Sequence, residues 1–100
     1  MTEGRVPSWR VVARGAIAVR EWDDELVVYN DLDGNTHHLA PLGGKVLLAL
    51  LEHPTGVNAV DLTARAGALA GIDEPDVLAP AVDEALDELA RLDLVAPVSD

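Results

Sequence analysis

The stretch ELVVYNDLDGNTHHL, residues 25–39, decides how the first half of this chain folds. It begins with β-branched and aromatic residues, which favour a strand over residues 25–30. The Asp33-Gly34 pair that follows is typical of a hairpin turn, because both residues tolerate the positive φ angle that such turns require. A return strand over Asn35–Leu39 completes a predicted antiparallel hairpin.

A further strand precedes this hairpin in VVARGAIAVREW, residues 11–22, where Ile17 and Val19 follow the two-residue period of a strand. The acidic segment WDDE, residues 22–25, marks the turn between them. Three sequential strands joined by short turns predict an antiparallel meander. A sheet this small needs a helix packed on one face to be stable.

Apolar residues with helical spacing follow the strands. The segment PLGGKVLLALLE, residues 41–52, begins with a proline, which suits the first turn of a helix, and its apolar positions form one buried stripe. A second helix begins at Asn58, a favourable N-cap, with Asp61 near the positive end of the helix dipole. The segment AGID, residues 70–73, is interpreted as the end of that helix.

The third helix is predicted to be the longest. It begins at Pro75, and Pro80 within it indicates either a kink or a restart. The segment DLVAPV, residues 93–98, is interpreted as a short terminal extension. The fold class is therefore α+β, a three-stranded antiparallel meander followed by three helices, which resembles a winged helix–turn–helix with its strands moved to the front. We expect one domain over residues 1–100, with an ordered core of about residues 9–98.

Composition excludes several kinds of site and location. The chain has no cysteine, so it forms neither a disulfide framework nor a thiolate metal site. The longest apolar run, Val46–Leu51, is too short to cross a bilayer, and the first residues do not resemble a secretory signal. We therefore expect a cytoplasmic protein with no membrane partner.

The net charge of −11 is distributed unevenly along the chain. Residues 1–20 carry four arginines and one glutamate, whereas residues 21–100 carry 17 acidic residues against Lys45, Arg65 and Arg91. An acidic body repels phosphate backbones, and a recognition helix normally carries Lys, Arg, Asn or Gln. We therefore expect no nucleic-acid partner. A winged-helix DNA-binding regulator remains the alternative function, because the helical half resembles a helix–turn–helix.

The adjacent histidines His37 and His38 raise the question of a metal or catalytic site. Successive side chains of a strand point to opposite faces, so the two rings cannot reach one metal ion from a regular strand. The sequence also lacks a nucleophile elbow, a phosphate-binding loop and the spacing of metal ligands. We expect no catalytic residue, no cofactor and no metal, and therefore a protein that is not an enzyme.

The strand over Asn35–Leu39 is expected to lie at an edge of the meander, where backbone N–H and C=O groups are unpaired. An extended peptide could add to such an edge as a further strand, and the third helix would supply apolar contacts. The same edge could instead be blunted by charge or by another segment, and both interpretations remain open. Pairing of two copies through this edge would give a homodimer.

The combination of these segments closely resembles the PqqD-like family of peptide-binding proteins, and especially the small PqqD-type proteins associated with HPr-kinase-related systems. The resemblance covers roughly residues 9–98. The positions that carry it are Trp9, Val27–Tyr29, Gly34–His37, Leu39, Leu42–Leu51 and Leu86–Val95. The tandem His-His-Leu and Pro80 depart from the family pattern.

This resemblance implies a recognition element for the precursor of a ribosomally made, post-translationally modified peptide. In that family, a leader peptide lies as an additional antiparallel strand against the third strand, and its side chains enter a groove beside the third helix. The implied partners are a precursor peptide and the enzyme that modifies it. The residues implied in peptide binding are Thr36, His37, His38 and Leu39, through their backbone, and Leu78, Ala81, Val82 and Ala85 on the helix.

Overall fold

The computed structural model describes residues 8–12, 14–23, 25–31, 34–53 and 55–98. Within these ranges, the chain forms two antiparallel sheets of three strands each, and three α-helices. One sheet is a meander of sequential strands, and the helices come after it in the chain. The expected α+β class, a meander followed by three helices, is thereby confirmed.

The elements follow one another in chain order with short connections. They are β1 (Ser8–Val11), a 3₁₀ turn (Arg14–Ala16), β2 (Ile17–Trp22), β3 (Glu25–Asn30), β4 (Asn35–Leu39), α1 (Pro41–Leu51), β5 (Val57–Asn58), α2 (Ala59–Ala70), α3 (Pro75–Arg91) and β6 (Val95–Pro97).

The meander has the strand order β2-β3-β4, with β3 in the centre. At the turn into β4, Gly34 has a φ angle of 73°, and its N–H donates to the carbonyl of Asn30 at 2.8 Å. The glycine therefore adopts the left-handed conformation that the turn was predicted to require. Its predicted partner in that turn, Asp33, lies outside the described residues, as does Asp24 in the preceding turn.

The second sheet was not predicted from the sequence. The segment over residues 11–22 is not one strand, because it contains the end of β1 and the whole of β2, which belong to different sheets. Strand β2 is part of the meander, whereas β1 pairs with β5 on one side and β6 on the other. Interpretation of residues 93–98 as a mere extension was therefore wrong: Val95–Pro97 is a strand of this sheet. Trp9 faces Val57 and Pro97 in the register, so the pairing joins residues far apart in sequence, which local periodicity does not record.

Helix boundaries follow the capping signals of the sequence. The side chain of Asn58 accepts a hydrogen bond from the N–H of Asp61 at 2.8 Å, which satisfies one free donor at the start of α2. Gly71, with a φ angle of 74°, ends this helix in the left-handed conformation.

Pro80 does not restart α3, which is one helix. The proline side chain and Asp76, the residue one turn before it, are both exposed, so water can reach the carbonyl that Pro80 leaves without a donor.

The core lies between α1 and the elements that surround it. Helix α1 contacts both other helices, β1 of the second sheet, and β3 and β4 of the meander. The largest completely buried side chains come from the three helices and from the segment between α3 and β6: Leu47, Leu50, Leu62, Leu86, Leu89 and Leu94. The meander contributes Leu26 and Val28 from the face of β3 that packs on α1.

Candidate functional site

Strand β4 is an outer strand of the meander. It pairs with β3 on one side, and no strand among the described residues pairs with its other side. An outer strand presents the alternate N–H and C=O groups that do not face its partner. The residues that present them are determined by the phase of the hydrogen-bond ladder.

One hydrogen bond outside the strands fixes that phase. The N–H of Asp31 donates to the carbonyl of Ala16 at 2.8 Å, and these residues flank the facing pair Ile17 and Asn30. In an antiparallel ladder, this arrangement defines a pair that does not exchange hydrogen bonds. The backbone groups of Asn30 consequently face β4 instead of β2.

The same alternation continues into β4. Asn30 faces Asn35, so this pair and every second pair after it exchange hydrogen bonds between β3 and β4. The backbone groups of His37 and Leu39 therefore face β3. Those of Thr36 and His38 face outwards, where they can pair with an additional strand.

The side chains of β4 alternate independently of these backbone groups. His37 is half-buried and Leu39 is buried on the helix side of the sheet, whereas Thr36 and His38 are exposed. The two histidine rings therefore lie on opposite faces, as strand alternation predicts. The Nε2 atom of His37 is buried and has no hydrogen-bond partner within the described part of the chain.

An open groove runs beside this edge, between β4 and α3. Its volume is about 730 Å³, within the range of ligand-binding clefts. Strand β4 and the start of α1 form one side, and α3 forms the other. The residues that line it are His38, Leu39, Ala40, Leu42, Gly43, Ala81, Glu84, Ala85, Asp87, Glu88, Leu89, Arg91 and Leu92.

The structure brings together four of the eight residues implied in peptide binding. These four line the groove: His38, Leu39, Ala81 and Ala85. Thr36 lies on the same strand with its backbone outwards, whereas the backbone of His37 is used by the ladder with β3. Their roles in binding stay predictions.

The side chains of Val82 and Leu78 lie elsewhere. Val82 is 0% exposed and belongs to the core. Leu78 is 4% exposed and borders a different groove, between α2 and α3. The reason is the helical phase, since Leu78 and Val82 are one turn apart on the buried face of α3. Burial, and not the linear resemblance, decides which side chains of α3 reach the β4 groove.

Sequence reasoning did not identify the acidic wall of the β4 groove as part of the site. Glu84, Asp87 and Glu88 all line it, and each is exposed. Their spacing of three and four residues places them along one side of α3, a signal that was present in the sequence. Arg91 forms an ion pair with Glu88, and this hydrogen bond and charge raise the pKa of Arg91.

The groove between α2 and α3 lies on the other side of α3. Ala79 and Asp83 line it, whereas Ala81 and Ala85 line the β4 groove. Residues two positions apart on a helix differ in direction by about 200°. Helix α3 therefore separates the two grooves, and neighbouring residues on it serve as matched positions for mutation.

Within the described ranges, no group of three or more His, Asp or Glu residues is placed to hold a metal ion. No helix in the described part of the chain is long and apolar enough to cross a bilayer.

The fold and groove define an α+β domain with an open-edged meander beside a helix. No known protein-family description and no curated protein sequence matches this chain. Among solved structures, the chain is similar to TbiB1 in complex with the TbiA(β) leader peptide. The similarity covers 91% of this chain and 99% of that chain, with a TM-score of 0.67 and 19% sequence identity. The likeness is one of fold.

Proposed function

We propose that this chain is a non-enzymatic, PqqD-like peptide chaperone that binds the leader of a ribosomally made precursor peptide. The leader lies as an added strand on β4 and is presented to the enzyme that modifies the precursor. The observation that carries the proposal is the outward-facing backbone of Thr36 and His38 next to an open groove.

Two independent sets of contacts support this mode of binding. Backbone groups on β4 supply hydrogen bonds that any extended chain can satisfy, and therefore affinity without sequence selection. The groove supplies apolar contacts for alternate side chains, through Leu39, Leu42 and Leu92 among others. Together they suit an extended peptide better than a compact small molecule.

The choice of a leader peptide as ligand is supported by the fold. TbiB1, which shares this fold over nearly its whole length, was solved in complex with a leader peptide. The sequence resemblance to the PqqD-like family supports the same choice. We also propose that the protein acts in the cytoplasm, beside the enzymes of a peptide-modifying pathway.

DNA binding, the alternative function, is disfavoured by charge. Helix α3 carries Asp83, Glu84, Asp87 and Glu88 on its exposed positions, and Arg91 is paired with Glu88. Carboxylates repel the phosphate groups that supply most non-specific DNA affinity. An electrophoretic shift experiment with salt titration is expected to show no DNA complex.

Calorimetric titration with the leader of a precursor encoded beside this gene tests the proposal. We expect saturable binding to the leader and none to the core of the same precursor. A second titration with the purified neighbouring modifying enzyme is expected to show tighter binding when the leader is present. Absence of saturable binding to any neighbouring precursor would contradict the proposal.

Pairing of two copies through β4 is a competing use of the same edge. Light scattering with and without leader separates the two. A dimer that dissociates when the leader is added indicates that both occupy β4, whereas a dimer that keeps its mass with the leader bound pairs through another surface.

A further inference from the structure

The wall of the β4 groove that α3 provides has two parallel rows of side chains. Ala81 and Ala85 form the inner row, and Glu84 and Glu88 form the outer row. Members of each row are four residues apart, which corresponds to about 6 Å along the helix axis. Side chains on one face of a strand repeat at about 6.6 Å, so successive groove-facing residues of an added strand match this spacing.

The inner row leaves room for a long side chain. Alanine is the smallest side chain that a regular helix carries without the flexibility of glycine, and both alanines are half-buried at the groove. A long aliphatic stem can lie over them. The end of that side chain then reaches the outer row, where the carboxylates are exposed to water.

The charges of the outer row are not equivalent. Glu88 is already paired with Arg91, and the charge of nearby Asp87 also acts on Arg91, whereas Glu84 forms no ion pair within the described part of the chain. A cation near Glu84 would therefore gain attraction without displacing an existing partner. Lys and Arg combine the apolar stem and the cationic end that the two rows require.

We propose that the β4 groove selects leaders in which a Lys or Arg and a large apolar residue stand two positions apart and both face the groove. The cationic side chain lies over Ala81 and Ala85 and reaches Glu84 and Asp87. The apolar side chain packs against Leu92, which is half-buried at the groove. This inference rests on the proposed function, since it names the class of peptide that the same site accepts.

Three synthetic 11-residue peptides test the selection. Their sequences are TLTKTLTKTLT, TLTQTLTQTLT and TLTETLTETLT, in which threonine alternates with leucine and with Lys, Gln or Glu. Each sequence reads the same in both directions, so the comparison does not depend on strand orientation. Titration of ¹⁵N-labelled protein, followed by NMR, measures weak as well as strong binding and reports which residues respond.

We expect the lysine peptide to bind about tenfold more tightly than the glutamate peptide, with the glutamine peptide in between. The difference should decrease as salt is added, because the charges are exposed. Shifts should centre on β4 and α3. Equal affinity of the lysine and glutamate peptides, or no binding of the lysine peptide, overturns the inference.

A matched pair of variants locates the charge. Glu84→Lys should abolish or reverse the preference for the lysine peptide, whereas Asp83→Lys changes the net charge equally but lies at the groove on the other side of α3. Both positions are exposed, so we expect each variant to fold, and thermal melting tests this. An equal loss of preference in both variants overturns the inference, because it would indicate a response to net charge alone.

Failure of the inference and failure of the proposed function are distinguishable. If the natural leader binds on β4 but the peptides show no charge preference, the inference alone is wrong. If neither the natural leader nor any of the three peptides binds, the proposed function is wrong and the inference falls with it.

Discussion

The N–H of Asp31 donates a 2.8 Å hydrogen bond to the carbonyl of Ala16, and this contact shows the hydrogen-bonding phase of the meander. It makes Ile17 and Asn30 a pair without mutual hydrogen bonds. Because hydrogen-bonded and non-hydrogen-bonded pairs alternate along each pair of strands, the backbone of His37 faces β3 and that of His38 faces outwards. The backbone of His37 is therefore used within the sheet, whereas that of its neighbour His38 is available to an added strand. This difference permits a sharp test of strand addition.

Proline substitution at these two positions should affect different properties, leader affinity at position 38 and stability at position 37. In His38→Pro the outward N–H is lost, and we expect leader affinity to fall by about two- to tenfold, the value of one hydrogen bond, with little loss of stability. His37→Pro removes a donor to the carbonyl of buried Val28 and should lower the free energy of unfolding by about 1–3 kcal/mol. Calorimetric titration and urea unfolding measure the two quantities.

The proline comparison has a clear contrary outcome. Equal leader affinity in His38→Pro and the unchanged protein, with both folded, would show that the leader does not add to β4.

Bulk placed in the β4 groove should compete with the leader. Ala85→Trp introduces a large side chain at the half-buried wall of that groove, and we expect the dissociation constant of the leader to rise at least about tenfold. The groove is open, so the indole ring can occupy it without unfolding the helix. Ala79→Trp is the control, because Ala79 is half-buried at the groove between α2 and α3. A similar loss of affinity in both variants would argue against binding in the β4 groove.

Two adjacent glycines of α1 should respond oppositely to alanine. A Cβ atom at position 44 would lie 2.9 Å from the Cβ of Leu26 on β3, so Gly44→Ala forces the helix and sheet apart. We expect it to lower the free energy of unfolding by about 1–3 kcal/mol. At position 43 the nearest atom would be the Cβ of Leu39 at 3.9 Å, and Gly43→Ala should raise stability by about 0.5–1 kcal/mol.

Thermal and urea unfolding of both glycine variants provide the measurement. If Gly44→Ala were as stable as Gly43→Ala, the close approach of α1 to β3 would be wrong.

The imidazole of His37 should be replaceable without loss. Its Nε2 atom is buried with no hydrogen-bond partner among the described residues, which disfavours the folded state. We expect His37→Phe to leave the free energy of unfolding unchanged or to raise it by up to about 1 kcal/mol. The same substitution at exposed His38 should give no such gain. A marked loss of stability in His37→Phe would indicate that the ring nitrogen has a structural role.

Much of the fold could be read from local patterns. The hairpin around Gly34, the start of α1 at Pro41 and the cap of α2 at Asn58 each depend on residues close in sequence. Such signals act through backbone conformation and short-range hydrogen bonds, which do not require knowledge of distant contacts. The site was only partly predictable, since its strand was identified but its acidic wall was not.

The sequence by itself determined the meander, the three helices and the alternation that separates His37 from His38. The tertiary structure alone decided that β1 pairs with β5 and β6, because those partners are distant along the chain. It also decided that Thr36 and His38 present the free backbone groups, since the ladder phase depends on how β2 meets β3. Local periodicity records which face of an element is apolar, whereas pairing and phase arise only when the elements pack together.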